Sequence, residues 1–388
     1  MGQASVIISG ANACRHPADR LYQHLITRHV REDGAVVGPD MGVRLNSRVW
    51  RFAKSVLRVF PWGDMYYYAQ AQAYWVYANI HLHRLTGNAG YEENAVRCAD
   101  VLLARQMPEG YWEYPNTEWK GLIATVDNCF AALALLTVYE TIRDERYLDA
   151  ARRWYDYMID EVGFQHYDDD SLAVSYFANR GRGLVPNNST LAIWFCALLN
   201  HATGDAKYLE YCAPMVSFLT RCQLDSGELP YSLTSEQGQG RDHYLCFQYN
   251  AFELMDLIEY QRISGDESVL PIVSKLTEFV SMGLTENGDG RHDCAADRPV
   301  TNYYTAAVSA ALVRATQAGL GDYSKTASRG YARLISRQAR SGAFDYSLGD
   351  YGFLSDRRSY PRSQCMILRH LLIGAELGSD GASGGADA

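Results

Sequence analysis

The chain contains no run of eighteen consecutive apolar residues, so no membrane-spanning helix is expected. It has no CxxC pair, and its nine cysteines are scattered, so no cysteine-zinc spacing and no disulfide framework is visible. Cys129, Cys196, Cys246 and Cys365 fall inside apolar helical patterns and read as reduced core residues. No basic stripe is present. The net charge of -9 is spread along the chain, which gives nucleic-acid binding no electrostatic footprint and mainly serves solubility. Neither a phosphate-cradling glycine loop nor a dinucleotide fingerprint occurs, so no cofactor is expected. Residues 1–15 lack the charged start and long apolar core of a secretory signal. Val6 stands where a myristoylation signal wants Ser or Thr. A cytoplasmic location is the expectation. The ending GSDGASGGADA, residues 378–388, buries too little apolar surface to order itself, so disorder is expected there.

What the sequence does have is a repeat. A turn followed by a helix start reads TGNAGYEENA from Thr86, RDERYLDAA from Arg143, TGDAKYLEYC from Thr203, SGDESVLPIV from Ser264 and LGDYSKTAS from Leu320. The Asn or Asp of each, at 88, 144, 205, 266 and 322, recurs every 56 to 61 residues. The Gly that precedes it in four of the five suits a left-handed helix end, and the Asn or Asp suits the cap of the next helix. A second element, Gln-x3-Gly-x-apolar-x-Tyr, occurs at Gln106, Gln223 and Gln338, at twice the turn period.

Between these markers, amphipathic helices alternate with helices that are apolar on most faces. The first kind faces solvent on one side and the second is buried. The outer set is expected near 16–30, 89–106, 145–161, 206–222, 267–283 and 323–338. The inner set is expected near 64–86, 122–142, 187–203, 243–263, 302–319 and 359–377. A single hairpin cannot bury both its faces, so neighbours must stack. The fold class is therefore all-α: six hairpins closing into an (α/α)6 toroid over residues 1–377, with an open solenoid as the alternative. The short turns lie on one rim. The long loops 31–63, 107–121, 162–186, 223–242, 284–301 and 339–358 lie on the other, where inner helices start and where sites are usually built.

Candidate site residues come from the first turns of the inner helices. Helix one opens with Asp64, Tyr66, Tyr67, Tyr68 and Gln70. Asp127 heads an apolar run, where poor solvation raises a carboxyl pKa and suits it to general acid work; a plain helix cap is the other reading. Arg241, Asp242, His243 and Tyr244 offer a cation, a carboxylate, an imidazole and a phenol in sequence. Asp242 has capping as its alternative, and His243 and Tyr244 are candidate cavity acids or bases. Asn187 and Asn188 follow Pro186 as a cap signal, and an amide there can also hold a substrate carboxylate. Gln248 and Tyr304 complete the ring, with Tyr303, Tyr360 and Arg362 beside them. Trp112 and Tyr231, like Tyr114, Phe344 and Tyr346, belong to the loop motif. Their recurrence argues for packing, though rings at a cavity mouth also stack on sugars. Asp168, Asp169 and Asp170 do not share a face and read as a solvated loop rather than a cation site.

Several short motifs resemble known toroid families. Gln106, Gly110 and Trp112 are similar to the repeat motif of squalene-type triterpene cyclases, although Tyr167-Asp168-Asp169-Asp170 lacks the spacing of their catalytic Asp-x-Asp-Asp. Asp127-Asn128-Cys129-Phe130 resembles the Asp-x-Gly-Phe of unsaturated glucuronyl hydrolases, with Cys129 in the Gly place, and Asn188 stands where those enzymes carry a second Asp. Asp242-His243-Tyr244 is similar to a run in epimerase-like polysaccharide-biosynthesis proteins. Ala69-Gln70-Ala71-Gln72-Ala73 is similar to a motif of glucuronyl C5-epimerases. These resemblances, which extend to polysaccharide lyases, imply a carbohydrate-active enzyme acting on a uronate-containing or related saccharide. In a hydrolase Asp127 would be the acid/base with Asp242 assisting. In a lyase or epimerase Tyr244 or His243 would move the proton while Asn188 and Arg241 hold the carboxylate. A terpene cyclase with an aromatic-lined cavity and a non-catalytic binding scaffold are the alternatives. The expected partner is a small-molecule or oligosaccharide substrate.

Overall fold

The computed structural model describes residues 10–40, 48–57, 65–115, 121–178, 183–234 and 240–377. Asp64 and the segment 378–388 lie outside the described residues.

The short turns form as their sequences dictate. Gly87, Gly204 and Gly265 end their helices at φ of 68°, 72° and 71°, and Arg143 takes the same conformation at 58°. The residue after each caps the next helix. Asn88 accepts from Gly90 N at 3.0 Å, Asp144 from Arg146 N at 3.0 Å, Asp205 from Lys207 N at 3.1 Å and Asp266 from Ser268 N at 2.9 Å; in the fifth turn Asp322 accepts from Ser324 N at 3.0 Å, one residue before the cap position Tyr323.

The inner ring consists of α3 (Ala69–Thr86), α5 (Thr125–Ile142), α7 (Pro186–Thr203), α9 (Cys246–Ser264), α11 (Asn302–Gln317) and α13 (Pro361–Ala375). The outer ring consists of α1 (Gly10–Arg28), α4 (Ala89–Arg105), α6 (Glu145–Tyr157), α8 (Cys212–Cys222), α10 (Leu270–Ser281) and α12 (Ser324–Ile335). Inner helices pack neighbour to neighbour, and α13 packs against α3, so the ring is closed. This is the all-α (α/α)6 toroid, and the open solenoid is excluded. Burial follows the apolar patterns: every residue of α5 from Thr125 to Leu136 except Val126 is buried.

The Gln-x3-Gly motif is a clamp. Gln106 Nε2 donates to Gly110 O and to Ala150 O on the next outer helix, both at 2.8 Å. Gln223 does the same to Gly227 O (2.9 Å) and Ile272 O (3.0 Å), and Gln338 to Gly342 O and Pro17 O, both at 2.8 Å. The last of these joins the end of the chain to α1. On the inner side a buried polar side chain fastens the same loop. Asn128 exchanges two hydrogen bonds with the backbone of Trp112 (2.6 and 3.1 Å), and Asn250 with Leu229 (2.7 and 2.9 Å). Gln364 pairs likewise with Phe344 (2.9 and 2.8 Å), and Gln72 with Val36 (2.7 Å each). Thr305 and Ser189 do this with one hydroxyl each.

The structure departs from the sequence reading in four places, the first being that the first inner helix starts at Ala69 rather than near 64, with Tyr68 extended at its cap. The long loops carry structure of their own: a further helix α2 (Arg48–Val56), a hairpin of β1 (Phe164–Asp168) and β2 (Ser171–Val174), and a small antiparallel sheet of β3 (Val300–Thr301), β4 (Ser347–Asp350) and β5 (Leu354–Asp356). The fourth and fifth outer helices begin as short 3-10 turns, Ala206–Leu209 and Glu267–Val269. Pro214 and Pro271 lack the N–H that would continue an α-helix backwards. The fourth inner helix starts at Cys246 rather than near 243, because Leu245 takes a left-handed conformation at φ 49°.

Candidate functional site

A cavity of about 270 Å³ opens among the inner-helix N-termini at the long-loop rim. The loop-fastening residues explain which side chains reach it. One and two positions before each fastener the helix turns its side chains to the axis, with the exception of Ala71 before Gln72. Gln70, Asp127, Asn187, Asn188, Gln248, Tyr249, Tyr303, Tyr304, Arg362 and Ser363 all line the cavity by this rule. Tyr114, Tyr176, Tyr231, Tyr244 and Tyr346 add loop-borne rings.

Asp127 is 6% exposed. Its Oδ1 accepts from Gln70 N at 3.2 Å, within the first turn of α3. Burial pushes its carboxyl up to about 6, outweighing the donation from the Gln70 and Ala69 amides and the pull of the Arg362 charge. Arg362 donates from Nε and Nη2 to the two oxygens of Asp40, each at 2.8 Å, and lies 4.5 Å over the Tyr68 ring. It is the only Lys or Arg among the described lining residues, and its charge is compensated. Deeper in, Asp256 on α9 is held well above the usual carboxylate range by burial and accepts from Thr190 Oγ1 at 3.2 Å. Burial likewise raises Tyr176, Tyr249, Tyr303 and Tyr304, so these rings stay neutral phenols.

Two lining amides are unsatisfied. Both polar atoms of the Asn188 side chain, and Oε1 of Gln248, are buried with no hydrogen-bond partner. Leaving such groups dry and unpaired costs about 1–3 kcal/mol each, so a polar ligand or water is the natural partner.

The structure thus brings together Asp127, Tyr244, Gln70, Asn188, Tyr231, Gln248 and Tyr304 of the sequence-based set. It does not place Trp112, Tyr67, Arg241, Asp242 or His243 in the cavity lining. Trp112 is buried in its loop and donates Nε1 to Leu102 O at 2.8 Å, so it packs the repeat. Tyr67 precedes α3 and lies under the Arg105 guanidinium, 4.1 Å from its ring. Arg241, Asp242 and His243 are exposed, because the helix that would have aimed them inward begins later; His243 Nδ1 instead meets Glu228 Oε2 at 2.8 Å. Tyr244 sits at the mouth, 41% exposed, with Arg241 over its ring at 5.3 Å. Asp168 lies on β1, bonded to Ser171 and Arg221, away from the lining.

Sequence reasoning passed over Asp40, Tyr176, Tyr249 and Asp256. Tyr249 was accessible in principle, since it precedes the fastener Asn250 as Asp127 precedes Asn128. The others stand outside any repeated position.

A second cavity, of about 520 Å³, opens at the short-turn rim and shares Phe130, Phe252 and Asp256 with the first. Arg84, Arg262 and Arg314 in its wall stand in the last turns of their helices, where cations complement the helix dipole, and Arg262 and Arg314 pair with Glu259 and Glu376. Asp256 is the carboxyl the two cavities share, and Asp127 does not line this one.

No family profile and no curated protein matches the sequence. Solved structures do match in shape. The chain is similar to cellobiose 2-epimerase from Bacillus thermoamylovorans, with a TM-score of 0.71 at 11% identity, over 93% of this chain and 99% of that one. It is similar to a possible member of the GH105 family from Salmonella enterica, with a TM-score of 0.68 at 12% identity, over 97% of each chain. It is also similar to a family 76 glycoside hydrolase from a bovine Bacteroides thetaiotaomicron strain, with a TM-score of 0.68 at 13% identity, over 95% of this chain and 78% of that one. At these identities the likeness is one of fold: the chain is built on the (α/α)6 toroid that these proteins share.

Proposed function

We propose that the protein is a carbohydrate-active enzyme that works by acid/base chemistry in the long-loop cavity, with Asp127 as the proton-transfer group. The observation that carries the reading is the pairing of a buried carboxyl poised at about 6 with unsatisfied amides of Asn188 and Gln248 in one tyrosine-lined cavity. A saccharide supplies what this lining lacks. Its hydroxyls satisfy the amides, and its apolar ring faces stack on the phenols. Toroid neighbours whose names describe an epimerase and glycoside hydrolases support the same class.

Within that class, the sequence favoured a uronate-containing substrate. The lining favours a neutral one, because Arg362 is already bound to Asp40 and Arg241 stands outside. Hydrolysis has Asp127 donating a proton to the leaving oxygen, with Asp256 as the second carboxyl, since Asp40, the third in the lining, is paired with Arg362. Epimerisation has Asp127 moving a proton at carbon, with Tyr244 at the mouth as a candidate partner. A terpene-cyclase reading draws only on the aromatic rings, since Asp168, Asp169 and Asp170 are not in the cavity lining.

The test is a panel of neutral and uronate oligosaccharides followed by reducing-end release, product epimerisation and absorbance of unsaturated uronates. Turnover that falls about 10²-fold or more in Asp127→Asn supports the reading. Absence of turnover across the panel, or a fully active D127N, overturns it.

A further inference from the structure

Outside the cavity lining, three elements bring together a set of side chains that the acid/base reading leaves unused. Glu228 lies in the second clamped loop, Cys246 opens α9, and Cys294 sits on the loop before α11. One ligand atom from each lies within 4.8 Å of the others. Cys246 Sγ is 2.7 Å from Cys294 Sγ, and Cys294 Sγ is 3.8 Å from Glu228 Oε2.

The backbone holds these groups in place. Gly227, at φ 89°, is pressed against the Lys275 carbonyl, and Leu229 is fastened by Asn250, so Glu228 is fixed between two anchored neighbours. Its side chain is fully buried, yet Oε1 has no partner. Oε2 is held by His243 Nδ1 at 2.8 Å. Leu245 takes a left-handed conformation immediately before Cys246, a cost of about 1–2 kcal/mol for a residue with a Cβ. Asp293 accepts from the backbone of Ala295 (2.9 Å) and Ala296 (2.8 Å), which shapes the turn bearing Cys294. The buried Glu228 carboxyl thus turns Oε2 toward Cys294, beside a second thiol, and keeps Oε1 unpaired.

We propose that Cys246 Sγ, Cys294 Sγ and the Glu228 carboxylate bind a thiolate-preferring divalent cation of the zinc class, with His243 as the positioning residue that orients Glu228. Sulfur and imidazole-held carboxylate donors select such a metal over calcium or magnesium. Binding converts two thiols to metal thiolates and releases two protons to solvent, with no change in oxidation state. Metal–sulfur bonds of about 2.3 Å in tetrahedral geometry set the sulfurs about 3.8 Å apart, so they separate by about 1 Å from their present spacing. Cys294 is exposed and lies on a loop that can supply that movement. The fourth position opens to solvent on that side. The site braces the wall of the cavity: Tyr244 and Leu245, directly before Cys246, both line it.

The experiment uses the full chain, reduced and stripped of metal, titrated with cobalt(II) and then zinc. The expected result is about one equivalent bound, a near-ultraviolet thiolate-to-cobalt charge-transfer band, and loss of that band as zinc displaces cobalt. Cys246→Ser and Cys294→Ser should abolish the band, and His243→Ala should weaken affinity about 10–100-fold without abolishing it. Should C246S fail to fold, C294S, on the exposed loop, carries the test, with circular dichroism as the folding control. Two results overturn the proposal. One is a folded protein that shows no cobalt band and yields nine free thiols when counted after unfolding. The other is a count of seven free thiols in the protein as isolated, before reduction, with the disulfide mapped to Cys246 and Cys294. Neither depends on the saccharide reading.

Discussion

Asp127 is a carboxyl group that the fold has moved away from water without giving it a counter-charge of its own. The Arg362 guanidinium nearby is spoken for by Asp40, and two α3 amides supply the remaining polarity. The consequence for stability has a definite sign. The folded state keeps the proton up to about 6, whereas the unfolded chain releases it from 3.8 upward. The contribution of Asp127 is therefore fully present below 3.8, is lost as pH rises through the folded value, and leaves a cost on the order of 3 kcal/mol above it. Asp127→Asn should accordingly melt higher than the parent at pH 7, and the gap should close toward pH 4; melting temperatures of the two proteins across that range check it. Asn188 makes a related case. Both its polar atoms are buried and unpaired, so Asn188→Leu should stabilise the unliganded protein by about 1–3 kcal/mol in thermal melts. The same change should raise KM for any saccharide the cavity accepts. A variant that melts lower would mean that ordered water already satisfies the amide.

Three of the long loops are held at both edges, by Gln106, Gln223 or Gln338 on the outer side and by Asn128, Asn250 or Gln364 on the inner side. This arrangement accounts for the glycine in the motif. At Gly110, φ is 108° and a Cβ would stand 2.4 Å from the Arg153 carbonyl, a backbone atom of the next outer helix that cannot swing aside. At Gly87 the conformation is also left-handed but a Cβ would meet nothing within 4 Å. Gly87→Ala should thus cost only the conformational penalty, about 1–2 kcal/mol. Gly110→Ala should cost clearly more, because it adds a steric clash that pries the loop from α6. Chemical denaturation of the two variants separates these outcomes; equal losses would show that the close approach to Arg153 is relieved elsewhere. The same clamps carry functional weight. By pinning Asn128 to Trp112, they set the rotation of α5 that turns its neighbour Asp127 to the axis.

Closure gives every inner helix two inner neighbours and leaves no exposed end. The seam lies between the first and last hairpins, where α1 packs on α13, α13 packs on α3, and Gln338 donates to the Pro17 carbonyl. Removing residues 1–28 should therefore expose the buried face of α13, including Ile367 and Leu371, and destroy cooperative unfolding rather than trim one hairpin. Loss of a single sharp calorimetric transition is the expected result. A truncated chain that melts in one transition near the parent temperature would show that the remaining helices close without α1.

The toroid was legible in the sequence because it rests on local and periodic causes. A left-handed Gly followed by a capping Asp or Asn makes the same turn wherever it occurs, and apolar coverage around a helix marks whether it lies inside or outside. The cavity was legible only where it obeys the repeat. Asp127, Asn188 and Tyr304 stand at equivalent places on their helices and Gln248 one residue earlier on its own, so locating the first turns located them. Arg241, Asp242 and His243 were misplaced because the left-handed conformation of Leu245 delays α9 by about one turn. That conformation has no glycine to announce it. The ion pair of Asp40 with Arg362, and the meeting of Glu228 with Cys246 and Cys294, join loops distant in the chain. No spacing in the sequence encodes them, since loop–loop contact across a rim is decided by ring closure and by which backbone atoms each loop must satisfy on the way.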